Sequence, residues 1–372
     1  MKIVVPVRLF PEPAQEAALR ATLRACNAAA NDVSVLAWRS QVFRRVGLQK
    51  IAYVHVKATH GLAAQAALHV IRKVADAYVL DTRTRRTFRP EAAQPFDDRC
   101  LSWQIPEAEG AVEGTVSIWT TAGRMKWVRF RCSMDQMRAL REHRKGESDL
   151  VHRDGMWFLH ATCEMPQVTP FTPRGWIGVD LGIVNIATSD GTRYSGTALN
   201  RVRQRHRRLR TKLQAKGTRS AKRLLKKRSR KESRFATDVN HVISKSIVVE
   251  AERTGRGIAV EDLTGIRARV RLRKPRRTTL HSWSFRRLGT FLAYKAQRAG
   301  VPLVAVDPAY TSQTCSHCAY QGKTNRVSQA RFMCRSCGVV AHADHNAARN
   351  IAARAARGEV VSWAVVDRPH AA

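Results

Sequence analysis

Apolar and polar positions change their period several times along this chain, and each change marks an element. Lys2 to Leu9 (KIVVPVRL) is a strand-like run that stops at Pro11 and Pro13. From Gln15 to about Ala37, Ala and Leu recur at helical spacing. His60 to Asp81 repeats the pattern, which predicts two helices packed into a small helical unit whose polar face carries Arg20, Arg24, Arg72 and Lys73. From about Arg85 to Gln167 the period shortens to two, in GTVSIWTT, KWVRFRCS, SDLVHRDG and MWFLHATCEM, with Gly123 and Gly155 at turns. That texture predicts a mostly antiparallel sheet or small barrel, with a short helix over Met134 to Lys145. The Lys2 strand can join this sheet, which would make the helical unit an insertion.

A Pro/Thr-rich linker, QVTPFTPRG, then leads to GWIGVDLGIVNIATSDGTRYSG, a predicted β-hairpin turning at Asp190-Gly191. Its first strand ends in Asp180. An unpaired charge is costly in a buried strand, so Asp180 either serves a site or caps a turn at an exposed edge. Residues Phe235 to Ala251 predict an amphipathic helix, and GRGIAVEDLTGI a turn and an apolar strand ending in Glu261. Leu288 to Arg298 reads as a helix, VPLVAVDPAY as a strand, and His345 to Ala356 as a last helix opened by Asp344 and followed by a loose tail.

Charge changes the picture. The 372 residues carry a net +37, and 44% are apolar, enough for a buried core in two or three domains. Such an excess of cations makes nucleic acid the leading partner. Arg201 to Arg234 holds seventeen Lys or Arg against one acid, Glu232. With only Leu209, Leu213, Leu224 and Leu225 as sparse apolar positions, it reads as a helical arm whose Arg205, Arg207, Arg208, Arg210, Lys226, Lys227 and Arg228 contact phosphates. A merely solvated face is the alternative. A second basic stretch contains Arg271 and Arg273 and is closed by Trp283, which is either a stacking platform for single-stranded nucleic acid or a core residue. The N-terminus lacks a signal-peptide pattern, and Gly61 to Leu80 carries Arg72, Lys73 and Asp76, so no bilayer span is expected.

Two Cys-x-x-Cys pairs, Cys315/Cys318 and Cys334/Cys337, stand 15 residues apart, the spacing of a Cys₄ zinc ribbon. Four thiolates leave no open position, so one zinc here is expected to be structural. Cys26, Cys100, Cys132 and Cys163 show no paired spacing, which fits a reducing cytoplasm. Gly322-Lys323-Thr324 imitates the end of a phosphate-binding loop, but His317 occupies the place of its first glycine. Asp180, Glu261 and Asp344 remain as three carboxylates at the ends of core elements. Brought together they would repel unless Mg²⁺ or Mn²⁺ lay between them. Two such ions about 4 Å apart support phosphodiester hydrolysis.

The hairpin GVDLGIVNIAT, the strand IAVEDLTGI, and VDPAYTSQTCSHC through CRSCGVVAHADHNAARNI resemble the RuvC-like nuclease of the transposon-encoded TnpB proteins. The resemblance is specific from about Gly175 to Ile351. It is weaker earlier, where LVHRDGMWFLHATCEMP resembles the wedge domain of that family. It implies an α+β multidomain chain: an RNase H-like (RuvC) nuclease with a mixed five-stranded sheet and a zinc ribbon, preceded by a β-barrel-like wedge domain with a small helical insertion. The corresponding boundaries are 1–20 and 82–172 for the wedge, 21–81 for a helical recognition insertion, 173–311 and 340–365 for the nuclease, 312–339 for the ribbon and 366–372 for a tail. It further implies an RNA-guided, metal-dependent DNA endonuclease cutting beside a short flanking motif. Asp180, Glu261 and Asp344 would hold two Mg²⁺ (or Mn²⁺), and Cys315, Cys318, Cys334 and Cys337 one Zn²⁺. Guide RNA and target DNA would be the partners, in a prokaryotic cytoplasm and at the nucleoid when DNA is bound. Ala319 stands where the family usually has Gly after the first knuckle. The competing readings are a CRISPR-associated effector of the same architecture, a DNA-joining transposase using the same acids, and a nuclease-dead RNA-guided repressor or plain zinc-ribbon nucleic-acid binder.

Overall fold

The computed structural model describes residues 1–182, 185–188, 190–195, 197–263 and 285–363. They form two units, Met1–Pro166 and Gln167–Ala372.

In the first unit, β1 (Lys2–Phe10) alternates strictly, burying Val5, Val7 and Leu9. The chain then makes a helical excursion through α1 (Pro13–Ser40), α2 (Arg45–His60) and α3 (Ala64–Leu80). It returns as β2 (Gln94–Phe96), β3 (Leu101–Gln104), β4 (Glu113–Thr120), β5 (Gly123–Arg131), α4 (Met134–His143), β6 (Arg144–Arg153) and β7 (Met156–Glu164). The seven strands pair antiparallel in the order β2-β6-β7-β1-β5-β4-β3. Strands β2 and β3 lie at opposite edges of this sheet, yet only the four residues Asp97–Cys100 separate them. Seven flat strands would set those edges roughly 29 Å apart, and a four-residue link reaches at most about 18 Å. The sheet therefore curls until its edges approach, around a core that includes Val7, Phe96, Leu101, Ile118, Phe130 and Leu159.

Three helices stand where the periodicity predicts two. Helix α2 was missed because Ile51, Val54 and Val56 are β-branched and Ile51 and Val54 are exposed, which blurs its helical stripe. Gly61, at φ 60°, ends α2, so the helix expected from His60 begins only at Ala64. Small residues of α1 (Ala29, Ala30, Ala37) let it approach α2 and α3 closely. The basic face expected on this unit is largely neutralised. Arg20 and Arg24 pair with Glu91, Arg72 pairs with Glu147, and Lys73 is drawn inward onto Asn27 Oδ1 at 2.7 Å.

In the second unit, β8 (Trp176–Asp180), β9 (Asn185–Thr188) and β10 (Arg193–Ser195) form a meander. Helices α5 (Thr197–Lys216) and α6 (Arg219–Arg253) follow, then β11 (Gly257–Glu261), α7 (Phe285–Arg298), β12 (Leu303–Val306), the ribbon hairpin β13 (Arg331–Met333) and β14 (Val340–His342), α8 (Ala343–Ala356) and β15 (Val360–Trp363). Gly217 at φ 64° stops α5, and Thr218 caps α6 by accepting from the Ala221 N–H at 3.2 Å. The main sheet runs β10-β9-β8-β11-β12-β15, with β8, β11 and β12 parallel and the other pairings antiparallel. It has six strands, not five. Val360–Trp363, expected as a loose tail, covers the otherwise open edge of the fully buried β12, with Val360 packing near Val304, Val306 and Ala355.

Strand alternation assigns the faces. Ile177, Val179, Ile258 and Val260 pack against α6 and α7 through Ile247, Leu288 and Leu292. Trp176 and Ala259 face the other way, toward α8 and its Ile351 and Ala355. Gly178 shares this second face, and α8 lies directly on it. A Cβ at position 178 would sit 1.9 Å from Ala348 O and 2.6 Å from Ala352 N.

Gly178→Val is therefore expected to destabilise the protein by about 1–3 kcal/mol through overpacking. Urea unfolding measures this, and an unchanged midpoint would contradict the close packing of α8 on β8.

Candidate active site

Period two along a strand places Asp180 on the same face as Gly178, and Glu261 on the same face as Ala259. Strands β8 and β11 are parallel neighbours in the register Val179↔Val260, so both carboxylates stand side by side at the carboxyl ends of their strands. Asp344 lies one helical turn before Ala348, the residue that touches Gly178, and so comes down over Asp180. The three acids expected from the sequence thus meet on one face. Asp344 is 4% exposed. It occupies the first turn of α8, where the helix dipole favours a negative charge, and the His342 ring caps that turn by accepting from the Asp344 N–H at 3.2 Å.

The electrostatics mark the cluster as under-compensated. Loss of hydration, with Glu261 and Asp344 adding repulsion, pushes the Asp180 carboxyl up to about 8. Burial also raises Glu261, against the opposing hydrogen bond from Thr311 Oγ1 to Glu261 Oε1 at 2.5 Å. Asn185 Nδ2 donates to Asp344 Oδ2 at 3.3 Å, and Arg326 Nη2 lies 3.4 Å from Asp344 Oδ1. Three hard carboxylates, with Arg326 beside Asp344, are a donor set suited to divalent cations.

Arg326 belongs to the cysteine hairpin that precedes α8. Cys315, Cys318, Cys334 and Cys337 bring their four Sγ atoms within 4.8 Å of one another. The Cys318–Cys334 and Cys315–Cys337 sulfur separations are 3.5 and 3.7 Å, far too long for disulfides. Four thiolates spaced in this way suit one soft tetrahedral ion. Backbone N–H groups of Cys337 and Ser336 hold the Cys334 thiol down at about 6. The two knuckles repeat one geometry. Ala319 N donates to Cys315 O at 2.9 Å and Gly338 N to Cys334 O at 3.1 Å, with φ of 62° and 73° at Ala319 and Gly338. Gly adopts this left-handed conformation freely, and Ala does not.

Two asparagines fasten the hairpin to α8. Asn346 Oδ1 accepts from Ser316 N at 2.9 Å, and its Nδ2 donates to Thr314 O at 2.7 Å. Asn350 Nδ2 donates to Thr311 O at 2.8 Å and Thr314 O at 2.7 Å. Sequence reasoning missed Asn185, Thr311, Arg326, Asn346 and Asn350. The last two carried a readable signal, since buried Asn at i and i+4 of an Ala-rich helix must serve its hydrogen bonds.

The basic positions are placed less compactly. Arg205, Arg207, Arg208 and Arg210 are exposed on α5, as are Lys226 and Lys227 on α6, while Arg228 is half-buried. Arg210 pairs with Glu232 at 2.8 Å across the α5–α6 hairpin. Arg271, Arg273 and Trp283 lie outside the described residues.

Two stability measurements test this geometry. Asp180 is raised from 3.8 to about 8, so between those values the folded chain holds a proton that the unfolded chain has lost, and stability falls as pH rises through that window. Asp180→Asn is expected to raise the Tm of metal-free protein at pH 8 by at least about 3 °C and to change it little near pH 4. Equal melting of both proteins at pH 8 would refute the crowding of charge. Ala319→Gly, by relieving the left-handed Ala, should stabilise the protein by about 1 kcal/mol in chemical denaturation.

The chain resembles known proteins over part of its length. The family profile described as Cas12f1-like, TNB domain, matches residues 285–351. The CRISPR-associated endodeoxyribonuclease Cas12f1 of Sulfoacidibacillus thermotolerans is 43% identical over 122 residues, 32% of this chain and 27% of that protein. The TnpB-like protein MJ0751 of Methanocaldococcus jannaschii is 33% identical over 164 residues, 43% of this chain and 58% of that one. The chain thus spans about a quarter to three-fifths of these relatives. Among solved structures, the Cas12f1–sgRNA–target DNA complex has a protein chain of the same fold, with a TM-score of 0.65 at 13% identity over 91% of this chain and 83% of that one. Over these stretches, and in the motifs that carry the likeness, the chain is similar to TnpB-like proteins and to Cas12f1.

Proposed function

We propose that this chain is an RNA-guided, divalent-metal-dependent DNA endonuclease. The observation that carries the reading is the convergence of Asp180, Glu261 and Asp344 on the α8 face of a mixed sheet, with Asp180 pushed up to about 8 by loss of hydration and by the charges of Glu261 and Asp344. In this reading, residues 173–311 and 340–365 form an RNase H-like (RuvC) nuclease domain and 312–339 a zinc ribbon. Residues 1–20 and 82–172 form a wedge-like β domain, and 21–81 a helical insertion for recognition.

The three acids would hold two Mg²⁺ or Mn²⁺ ions, which bound there supply an activated water and neutralise charge on a scissile phosphate. Thr311 fixes one oxygen of Glu261, and Asn185 one oxygen of Asp344, so both carboxylates are oriented before substrate arrives. Arg326 offers a planar set of donors beside Asp344, suited to a phosphate oxygen. Cys315, Cys318, Cys334 and Cys337 would hold one structural Zn²⁺. Tetrahedral Zn–S bonds of about 2.3 Å imply S···S separations of about 3.8 Å, and those between Cys318 and Cys334 and between Cys315 and Cys337 are 3.5 and 3.7 Å. Helices α5 and α6, with Arg205, Arg207, Arg208, Lys226 and Lys227 exposed, supply a phosphate-contacting arm, and Arg271, Arg273 and Trp283 are further candidate contacts by their residue type. The names Cas12f1–sgRNA–target DNA complex and CRISPR-associated endodeoxyribonuclease support an RNA guide and a DNA target. The Cas12f1-like profile favours a second reading, a CRISPR-associated effector, which a repeat array beside the gene would identify.

The test is to express the chain with its native flanking DNA, purify it at high salt, and sequence the RNA that stays bound. One dominant RNA whose terminal segment dictates the DNA cut is expected. Asp180→Ala, Glu261→Ala and Asp344→Ala should each reduce cutting to background while RNA and DNA binding persist. A random mixture of RNA, with cutting insensitive to ribonuclease, would defeat the guided mechanism.

A further inference from the structure

Strand β5 breaks its own alternation at Trp127. In the β4–β5 ladder Val116 pairs with Val128 and Ile118 with Met125, so Ser117 of β4 stands opposite two residues of β5, Lys126 and Trp127. This is a β-bulge, a device that re-aims a side chain. Trp127 takes a φ of 62°, a left-handed conformation in which a bulky residue is an outlier and Gly would be at ease. Burial does not compensate, because Trp127 is 68% exposed. The bulge is braced from α1, where Gln15 Nε2 donates to Lys126 O at 3.2 Å. Neither backbone preference nor packing accounts for an aromatic ring held outward at this place.

The surroundings indicate what the ring serves. Trp127 forms one wall of a groove of about 210 Å³ that also presents Ser102, Gln104, Ser117, Arg124 and Lys126. Arg124 reaches across it, with Nη1 at 3.3 Å from Ser102 Oγ and 3.4 Å from Ser117 Oγ, and Nη2 donating to the Arg99 carbonyl. These partners are all uncharged. Among the described residues no carboxylate lies within salt-bridge distance of Arg124, Lys126 or the neighbouring Arg129, in contrast to Arg20 and Arg72 of the same unit. A flat aromatic face, cations without a counter-charge, and hydroxyl and amide groups between them match the three parts of a nucleotide. The base can stack on indole, the phosphate can meet Arg124 and Lys126, and the sugar hydroxyls can reach Ser102, Gln104 or Ser117.

We propose that this groove on β3–β5 holds one unstacked nucleotide of RNA, with Trp127 as its stacking platform. The polar lining favours RNA, whose sugar offers a 2′-hydroxyl that DNA lacks. The proposal rests on the reading that the chain binds RNA and adds to it a specific nucleotide subsite.

The experiment uses the full chain and a short oligouridylate carrying iodouridine, with oligodeoxythymidylate as comparison, at raised salt where phosphate contacts weaken and stacking persists. Ultraviolet cross-linking is expected to map to Trp127. Trp127→Ala should weaken oligouridylate binding roughly ten-fold and Trp127→Phe much less. Trp127→Gly should weaken binding while its Tm stays level or rises, which separates the role from folding. Undiminished binding by Trp127→Ala, with the cross-link elsewhere, overturns the subsite while the RNA reading stands. Loss confined to oligodeoxythymidylate overturns it in favour of a DNA strand. Failure of the unaltered chain to bind any RNA defeats the RNA reading itself, and the subsite with it.

Discussion

The second unit depends on one backbone contact, the seating of α8 on Gly178. A helix normally rests about 10 Å from a sheet because side chains intervene. Here the Ala348 carbonyl lies where a Cβ of residue 178 would be, and Ala347, Ala348 and Ala355 keep the helix narrow. The approach matters less for its stabilising area than for its position. Two residues further along β8 is Asp180, and one turn earlier along α8 is Asp344. A helix lifted by a larger residue would separate those carboxylates without altering either one. The smallest side chain in the strand thus sets the distance between charged groups that do not touch it.

Charge in this chain works at two ranges. The excess of +37 acts over the whole surface and draws polyanions in. The acid cluster acts locally and in the opposite sense, where burial keeps its field from being screened. A polyanion attracted by the helices α5 and α6 would be repelled at the last few ångströms by whichever carboxylates of the cluster are ionised, unless cations or protons neutralised them. In the proposed reading the cluster would discriminate between a chain carrying divalent ions and one without them, at the step where phosphate meets carboxylate.

What the sequence disclosed and what it hid follow from the same physics. Asp180 and Glu261 were legible because a carboxylate ending an apolar strand is rare enough to stand out. The clustering of the four cysteines was legible because two Cys-x-x-Cys pairs at this spacing are what a tetrahedral site requires. Arg326 was not, since one useful guanidinium is hidden among 66 Lys and Arg. Helix α2 was hidden by β-branched residues that suit strands equally well, and β15 by its brevity, because Val360–Trp363 becomes a strand only when an open edge is beside it. The curl of the first sheet was implicit in the four residues between β2 and β3, but it could be read only once their positions at opposite edges were known. Trp127 lay in an ordinary alternating run, and nothing in KWVRFRCS betrays the bulge that turns it outward.

Thr311 has a second consequence. Its backbone carbonyl is held by Asn350, at the base of the cysteine hairpin, and its hydroxyl holds Glu261. Arg326, further along the same hairpin, reaches Asp344. A newly made or thiol-oxidised molecule whose four cysteines have not gathered would lack both supports, and its acids would be misaligned although all three were present. If the chain cuts DNA as proposed, this arrangement would act as a safety catch, since a chain whose cysteine hairpin has not folded would hold its three acids out of line.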